Sequence, residues 1–418
     1  MDSAKSEQDR TVHGAWIASW TAAQQLCEPQ NLPPEPFLEG DRCFRNTTIR
    51  QTLRVTSTSG QIRVRISNAY GLTPLPITSV TVAVPLPDPR SHLIAGSCSI
   101  QTATLKTVKF NDLDTVVIPN GAQAVSDPIE MSIEAGQVLS VSIHMLHGQA
   151  GIHVTSHPGS RTDSWLARGE RTRTPSLSAS GIDGVPVTHW YFLSAIEAWQ
   201  NSNHGVLALL GDSITDGRNS TDNGNNRWPD LLFDRLSGNP KLSGRFSVAN
   251  LSLGGNRVMT DGNGANAWTR LERDVISLRN LKCVIICEGV NDIGTADPEE
   301  ADEVGMRLIQ SYQQMITCLH TYDILAIGAT LPPFDAEDPT EQVYAQPARV
   351  TAARKVNEWI RNSNSFDAIF DVASVLSEPT HSDRIRSEFD CGDHLHPNQR
   401  GFQALADFFP IEVLYKCA

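Results

Sequence analysis

The hydrophobic pattern of this chain changes period once, near residue 200, and that change limits the folds open to it. From Trp16 to Trp199 the chain reads as short alternating segments: TIRQTLRVT, QIRVRISNA, SVTVAVPL, QVLSVSIHM and THWYFLSAIEAW. Turn residues divide them at Ser59-Gly60, Tyr70-Gly71, Pro119-Asn120-Gly121 and Ala135-Gly136. Short strands punctuated by turns, with no long helical period between them, predict an all-β sandwich or jelly roll. In QIRVRIS, Ile62, Val64 and Ile66 share one face while Arg63 and Arg65 share the other, the pattern of a half-buried strand with solvated arginines. Trp16, Trp20, Trp165 and Trp190 are expected in the core.

Beyond the polar segment NSNHG (201–205) the pattern alternates between strand and helix. Near-continuous apolar runs occur at 206–211, 246–253, 283–290, 324–331 and 366–372. Between and after them lie stripes at the 3.6-residue period: Leu308, Tyr312, Met315, Ile316 and Leu319; Val350, Ala353, Val356, Trp359 and Ile360; Phe402, Leu405, Phe408 and Phe409. Apolar strands separated by helices predict a parallel sheet covered on both faces, with ligands beyond the carboxyl ends of its strands. The expected organisation is a polar N-terminal tail over 1–13, a β-sandwich over 14–200 and an α/β domain over 204–418.

Charge and composition narrow the partners. A net charge of −13 and a pI near 5.4 repel phosphate backbones and anionic lipid, so neither nucleic acid nor a membrane surface is expected. No apolar run approaches the roughly 18 residues a spanning helix needs. The start MDSAKSEQDRTVHG has no apolar leader core, so the chain as given reads as cytoplasmic, or as secreted if a leader has been removed. The eight cysteines include no C-x-x-C pair, so no metal site is expected from them. Cys283 and Cys287 fall on one face of an apolar strand. Cys27 and Cys43 flank a proline-rich loop and would be bridged only in an oxidising compartment.

Four punctuations stand at strand ends. GDSITDG (211–217) places Ser213 where a strand turns into a helix, a position that suits a nucleophile and equally a helix cap. It is not a G-x-S-x-G elbow, since position 215 is threonine. NLSLGGNR carries Gly254 and Gly255, whose bare backbone can present an amide to a ligand or simply turn tightly. CEGVNDIG carries Asn291, whose amide can donate to an oxyanion or cap a helix. FDCGDHLHPN sets Asp393 three residues before His396, spacing that lets a carboxylate orient a histidine base. Metal ligation by His394, His396, Asp390 and Asp393, a base role for His394, and a plain polar loop are the rival readings.

Serine, glycine, asparagine and Asp-x-x-His in that order resemble the SGNH hydrolase superfamily, also called GDSL esterases. The matching blocks are GDS at 211–213, Gly255, GVND at 289–292 and DHLHP at 393–397. With RWPD at 227–230, and GAWIASW, SHPGSRTDSW and HWYF in front, the chain is similar to the subgroup that carries an N-terminal β-rich domain. The resemblance implies a flavodoxin-like α/β/α three-layer domain and a serine esterase using Ser213, His396 and Asp393. It further implies an oxyanion hole from the Ser213 and Gly255 backbone N–H groups and the Asn291 side chain, and no metal or organic cofactor. Asp216, Asn256 and Arg257 flank the rim as candidate substrate contacts, while Asp212 is expected to organise the loop. The implied substrate is a carboxylic ester with a small acyl group on a carbohydrate or natural product. An acyltransferase or cyclising enzyme using the same residues, and a non-catalytic carbohydrate- or partner-binding protein, are the alternatives. Cys391 departs from the small residue common at that position.

Overall fold

In the computed structural model the described residues are 14–89 and 91–417; the expected tail over 1–13 lies outside them. The N-terminal domain is strand-rich. A six-stranded antiparallel sheet runs in the order Val185–Val187, Ser164–Arg168, Thr47–Arg54, Val138–Met145, Ser79–Ala83 and Lys106–Val108. A second antiparallel sheet runs Gly14–Thr21, Leu193–Asn201, Ser59–Ser67 and Gln123–Val125, with Ile129–Ile133 also paired to Ser59–Ser67. Ile49, Leu53, Val141 and Ile143 of the first sheet and Ile62, Val64, Ile66 and Ile196 of the second share one apolar core. Two sheets burying one core between them is sandwich packing.

Two readings of this domain change in the structure. Arg63 and Arg65 do not simply face water: both grip Glu197 on the neighbouring strand, at 2.5 and 2.6 Å. THWYFLSAIEAW is not one strand, because Phe192 adopts φ 62° and splits it into Trp190–Tyr191 and Leu193–Asn201. Trp20 and Trp190 are buried, whereas Trp16 and Trp165 are half-buried.

The C-terminal domain is built on a five-stranded parallel sheet in the order Phe246–Asn250, Gly205–Gly211, Leu281–Cys287, Leu325–Ala329 and Ala368–Phe370. In chain order this is 2-1-3-4-5, the flavodoxin-like arrangement. The helices Trp228–Ser237 and Gln399–Phe408 pack together, as do Ala301–Thr321 and Pro347–Asn362. Right-handed crossovers put the two pairs on opposite faces of the sheet. The strands end before their apolar runs do: residues 251–253, 288–289 and 330–331 are loop, and Val290 opens the helix Val290–Gly294. Phe408 leaves the expected stripe: it is exposed at the last residue of its helix, while Phe402 and Phe409 are buried.

Ala15, Ile17 and Ala23 of the N-terminal domain belong to the same apolar cluster as the parallel sheet. Polar ties reinforce that seam: Thr21 Oγ1 donates to the Asn250 carbonyl at 3.2 Å, and the Val248 N–H donates to Thr56 Oγ1 at 3.1 Å. Among the described residues, no helix is long and apolar enough to cross a membrane.

Candidate active site

Strand order reverses at Gly205–Gly211, whose neighbours are the second and third strands of the chain. Loops diverge at such a switch point and leave a crevice at the carboxyl ends. Ser213 lies just past this strand and opens the helix Ser213–Asp216. Asp212 caps that helix by accepting from the Ile214 N–H at 2.9 Å. Gly217, at φ 88°, closes it and donates to the Ser213 carbonyl. Gly211 has to be bare, since a Cβ there would lie 2.8 Å from the Cys287 carbonyl oxygen.

The loop before the last helix brings the other groups. Asn398 caps Gln399–Phe408 and so fixes where the loop ends. His396 Nε2 lies 2.7 Å from Ser213 Oγ, and His396 Nδ1 lies 2.7 Å from Asp393 Oδ2. Asp393 Oδ1 also accepts from the backbone N–H groups of His396 and Leu395, at 2.8 and 3.1 Å. Burial would raise this carboxyl, but the His396 ring and those N–H groups outweigh it and hold it well below the usual carboxylate range. A hydroxyl, an imidazole and a carboxylate thus stand in one hydrogen-bonded line able to take a proton from oxygen. His394, the rival base, is turned elsewhere: its Nδ1 is 2.8 Å from Asp390 Oδ2.

Gly255 and Asn291 lie beyond the carboxyl ends of Phe246–Asn250 and Leu281–Cys287, the two strands that flank Gly205–Gly211. Gly255 has φ 72°, a backbone conformation that favours glycine, and a Cβ there would also displace the end of the Asn263 side chain. Asn291 Nδ2 donates to the Asn256 carbonyl at 2.8 Å, and Asn291 Oδ1 accepts from the Tyr344 hydroxyl at 2.9 Å. These two bonds orient the amide and leave one N–H of Nδ2 uncommitted.

Residues 209–404 match the model of the GDSL-like Lipase/Acylhydrolase family. The C-terminal domain is a GDSL-like lipase/acylhydrolase domain. This is a family of carboxylic ester hydrolases. No curated protein matches the chain. Solved structures similar to it include a carbohydrate acetylesterase family member from Sinorhizobium meliloti, at 14% identity and TM-score 0.40, covering 50% of this chain and 97% of that one. Another is the aryl esterase of M. smegmatis, at 18% identity and TM-score 0.36, covering 49% and 95%. A third is the acetyl xylan esterase AlAXEase, at 20% identity and TM-score 0.36, covering 48% and 96%.

Within the GDSL-like domain, two expected substrate contacts turn inward. Asp216 is buried, with Oδ1 3.0 Å from His157 Nε2. The Asn256 side chain is also buried: Nδ2 donates to the Ala265 carbonyl at 2.9 Å, while Oδ1 accepts from Arg270 Nη2 at 2.7 Å. Both side chains organise loops instead of lining a rim. Arg257 is half-buried and folds onto its own loop, with Nη1 3.2 Å from Thr260 Oγ1.

Other groups around the GDSL-like site, Tyr344 and Glu288 among them, were not singled out from the sequence, whereas Asp212 was expected there as a loop organiser. Tyr344 comes from the loop before Pro347–Asn362, and nothing local marks it as a partner of Asn291. Asp292 accepts from the Val258 and Met259 N–H groups at 2.8 and 3.1 Å, tying the third block to the second. Burial pushes its carboxyl up to about 6 even so. Burial, with Asp292 and Asp216 nearby, pushes Asp212 up to about 7. Glu288 is buried with neither carboxylate oxygen hydrogen-bonded, and burial beside Asp212 drives it well above the usual range.

Cys391 is exposed, and its thiol accepts from Asn219 Nδ2 at 2.9 Å. Asp390, Cys391 and Asp393 each bring one ligand atom within 4.8 Å of the others. Asp393 Oδ2, however, is engaged by the His396 ring. Cys27 and Cys43 are both free and buried.

Proposed function

We propose that this chain is a serine esterase that hydrolyses carboxylic esters carrying small acyl groups on a carbohydrate or natural product. One observation carries the reading: Ser213 Oγ and His396 Nε2 are 2.7 Å apart, with Asp393 on the far side of the ring. His396 takes the hydroxyl proton as Ser213 Oγ bonds to the ester carbonyl carbon. The carbonyl oxygen becomes an oxyanion facing the N–H groups of Ser213 and Gly255 and the uncommitted Nδ2–H of Asn291. As the tetrahedral intermediate collapses, His396 returns the proton to the leaving alcohol, and water repeats the sequence to release the acid. Asp393 keeps the imidazole oriented and balances its charge while it holds two protons.

A series of chromogenic esters of increasing acyl length, assayed beside Ser213→Ala, tests the reading. Wild type should favour acetyl or propionyl esters, react with a fluorophosphonate at Ser213, and keep its activity after chelation. Undiminished hydrolysis by Ser213→Ala would refute it.

A further inference from the structure

The helix that carries Ser213 is anchored from outside its own domain. His157 ends the strand Thr155–His157 of the N-terminal domain and is 2% exposed. Its Nδ1 lies 2.8 Å from the Ala23 carbonyl oxygen and its Nε2 lies 3.0 Å from Asp216 Oδ1. Both ring nitrogens are thus engaged, one by a backbone carbonyl of the N-terminal domain and the other by a carboxyl group of the Ser213 helix. Its partner, Asp216, is the last residue of the helix Ser213–Asp216 and is 1% exposed.

The second carboxylate oxygen of Asp216 is buried without a hydrogen bond and lies close against Gly159. A Cβ on Gly159 would fall 1.9 Å from it, and one on Gly254 3.7 Å. The carboxylate therefore wedges between the 157–161 loop and the glycine pair that leads to Gly255. Arg227 clamps the same loop by donating from Nη2 to the Ser160 carbonyl, and its guanidinium lies over Trp190 at 5.4 Å. Trp190 in turn packs beside the His157 ring at 5.4 Å.

We propose that His157 is a positioning residue for the nucleophile: the buried His157–Asp216 pair locks the Ser213 helix against the N-terminal domain, so that the two domains form one catalytic unit. The proposal rests on the reading of Ser213 as nucleophile. A buried hydrogen-bonded pair has a narrow range of low-energy arrangements, and removing one partner leaves the other's polar atom buried without its hydrogen bond. A small displacement of a nucleophile lowers turnover far more than it lowers binding.

The test is a double-mutant cycle on the full chain, His157→Gln, Asp216→Asn and the pair, with each sample normalised by its folded fraction. Turnover and the rate of fluorophosphonate labelling at Ser213 should fall at least about tenfold in each single variant, with KM within about twofold. The double variant should be no worse than the weaker single, because both changes remove one interaction. If His157→Gln does not fold, Asp216→Asn supplies the same readouts. Labelling and turnover within about twofold of wild type in the singles would overturn the proposal, as would multiplying losses in the double. Ser213→Ala in the same series separates the two readings. Wild type labelled at Ser213, with variants labelled equally fast, defeats only the role of His157, whereas wild type that neither labels nor hydrolyses defeats the esterase reading and this one with it.

Discussion

The Tyr344 hydroxyl donates to Asn291 Oδ1 at 2.9 Å and so decides which end of that amide faces the Ser213 rim. Without this bond the amide is held only through Nδ2 on the Asn256 carbonyl. Tyr344→Phe is expected to lower kcat about tenfold, the loss of one hydrogen bond near 1.4 kcal/mol. Asn291→Ala, which removes the donor, should cost about 10²–10³. Steady-state kinetics on one ester checks both, and a Tyr344→Phe loss equal to that of Asn291→Ala would contradict the ordering.

Gly255→Ala should impair activity through the backbone. The residue sits at φ 72°, and the added methyl would meet Asn263. A strained φ of this kind costs about 1–3 kcal/mol. The expected outcome is a lower melting temperature with a disproportionate fall in kcat, since relief of the strain moves the N–H that we propose faces the oxyanion. Calorimetry and kinetics on the same preparation measure the two effects.

Stability should fall as pH rises from about 4 to about 7. Burial raises Asp212 to about 7 and Asp292 to about 6, and holds Glu288 well above the ordinary carboxylate range. Each binds its proton more tightly folded than unfolded, so its contribution is complete below the unfolded value near ~4 and is lost as pH climbs through the folded one. Asp393 acts in the opposite sense: its folded carboxyl is depressed, so its contribution is lost as pH falls below ~4. Urea midpoints should therefore be higher at pH 5 than at pH 8, and Asp292→Asn should flatten the difference.

Arg50 offers a test of the N-terminal domain alone. It is fully buried, and donates to Ser142 Oγ at 2.9 Å and to the carbonyls of Cys98 and Thr174 at 2.6 and 2.9 Å. Burial lowers it to about 10. Arg50→Met keeps the stem but strands those carbonyls, at about 1–3 kcal/mol for each group left unpaired. A loss of roughly 3 kcal/mol or more in chemical unfolding is expected, and a change under about 1 kcal/mol would show that water replaces the guanidinium at little cost.

The single change of hydrophobic period was enough to read a strand-rich domain followed by a parallel α/β sheet. Periodicity reports which face of an element is buried, a local property that survives without knowledge of neighbours. The blocks at 211–213, 255, 289–292 and 393–397 were legible for a related reason: a parallel sheet delivers all its carboxyl ends to one edge, so residues just past them share a rim. Only the tertiary structure decided which side chains turn into that rim and which turn away. Asp216 and Asn256 stand beside the blocks in sequence yet are committed to His157 and Arg270. Tyr344 and His157 carry no local mark, because their roles depend on partners 53 and 59 residues away. Arg50 and Arg65 occupy similar alternating strands, but loops cover the first completely while the second keeps 35% of its side chain in water. Alternation sets a side chain's face; whether that face meets water, a loop or another domain depends on contacts between segments far apart in the chain.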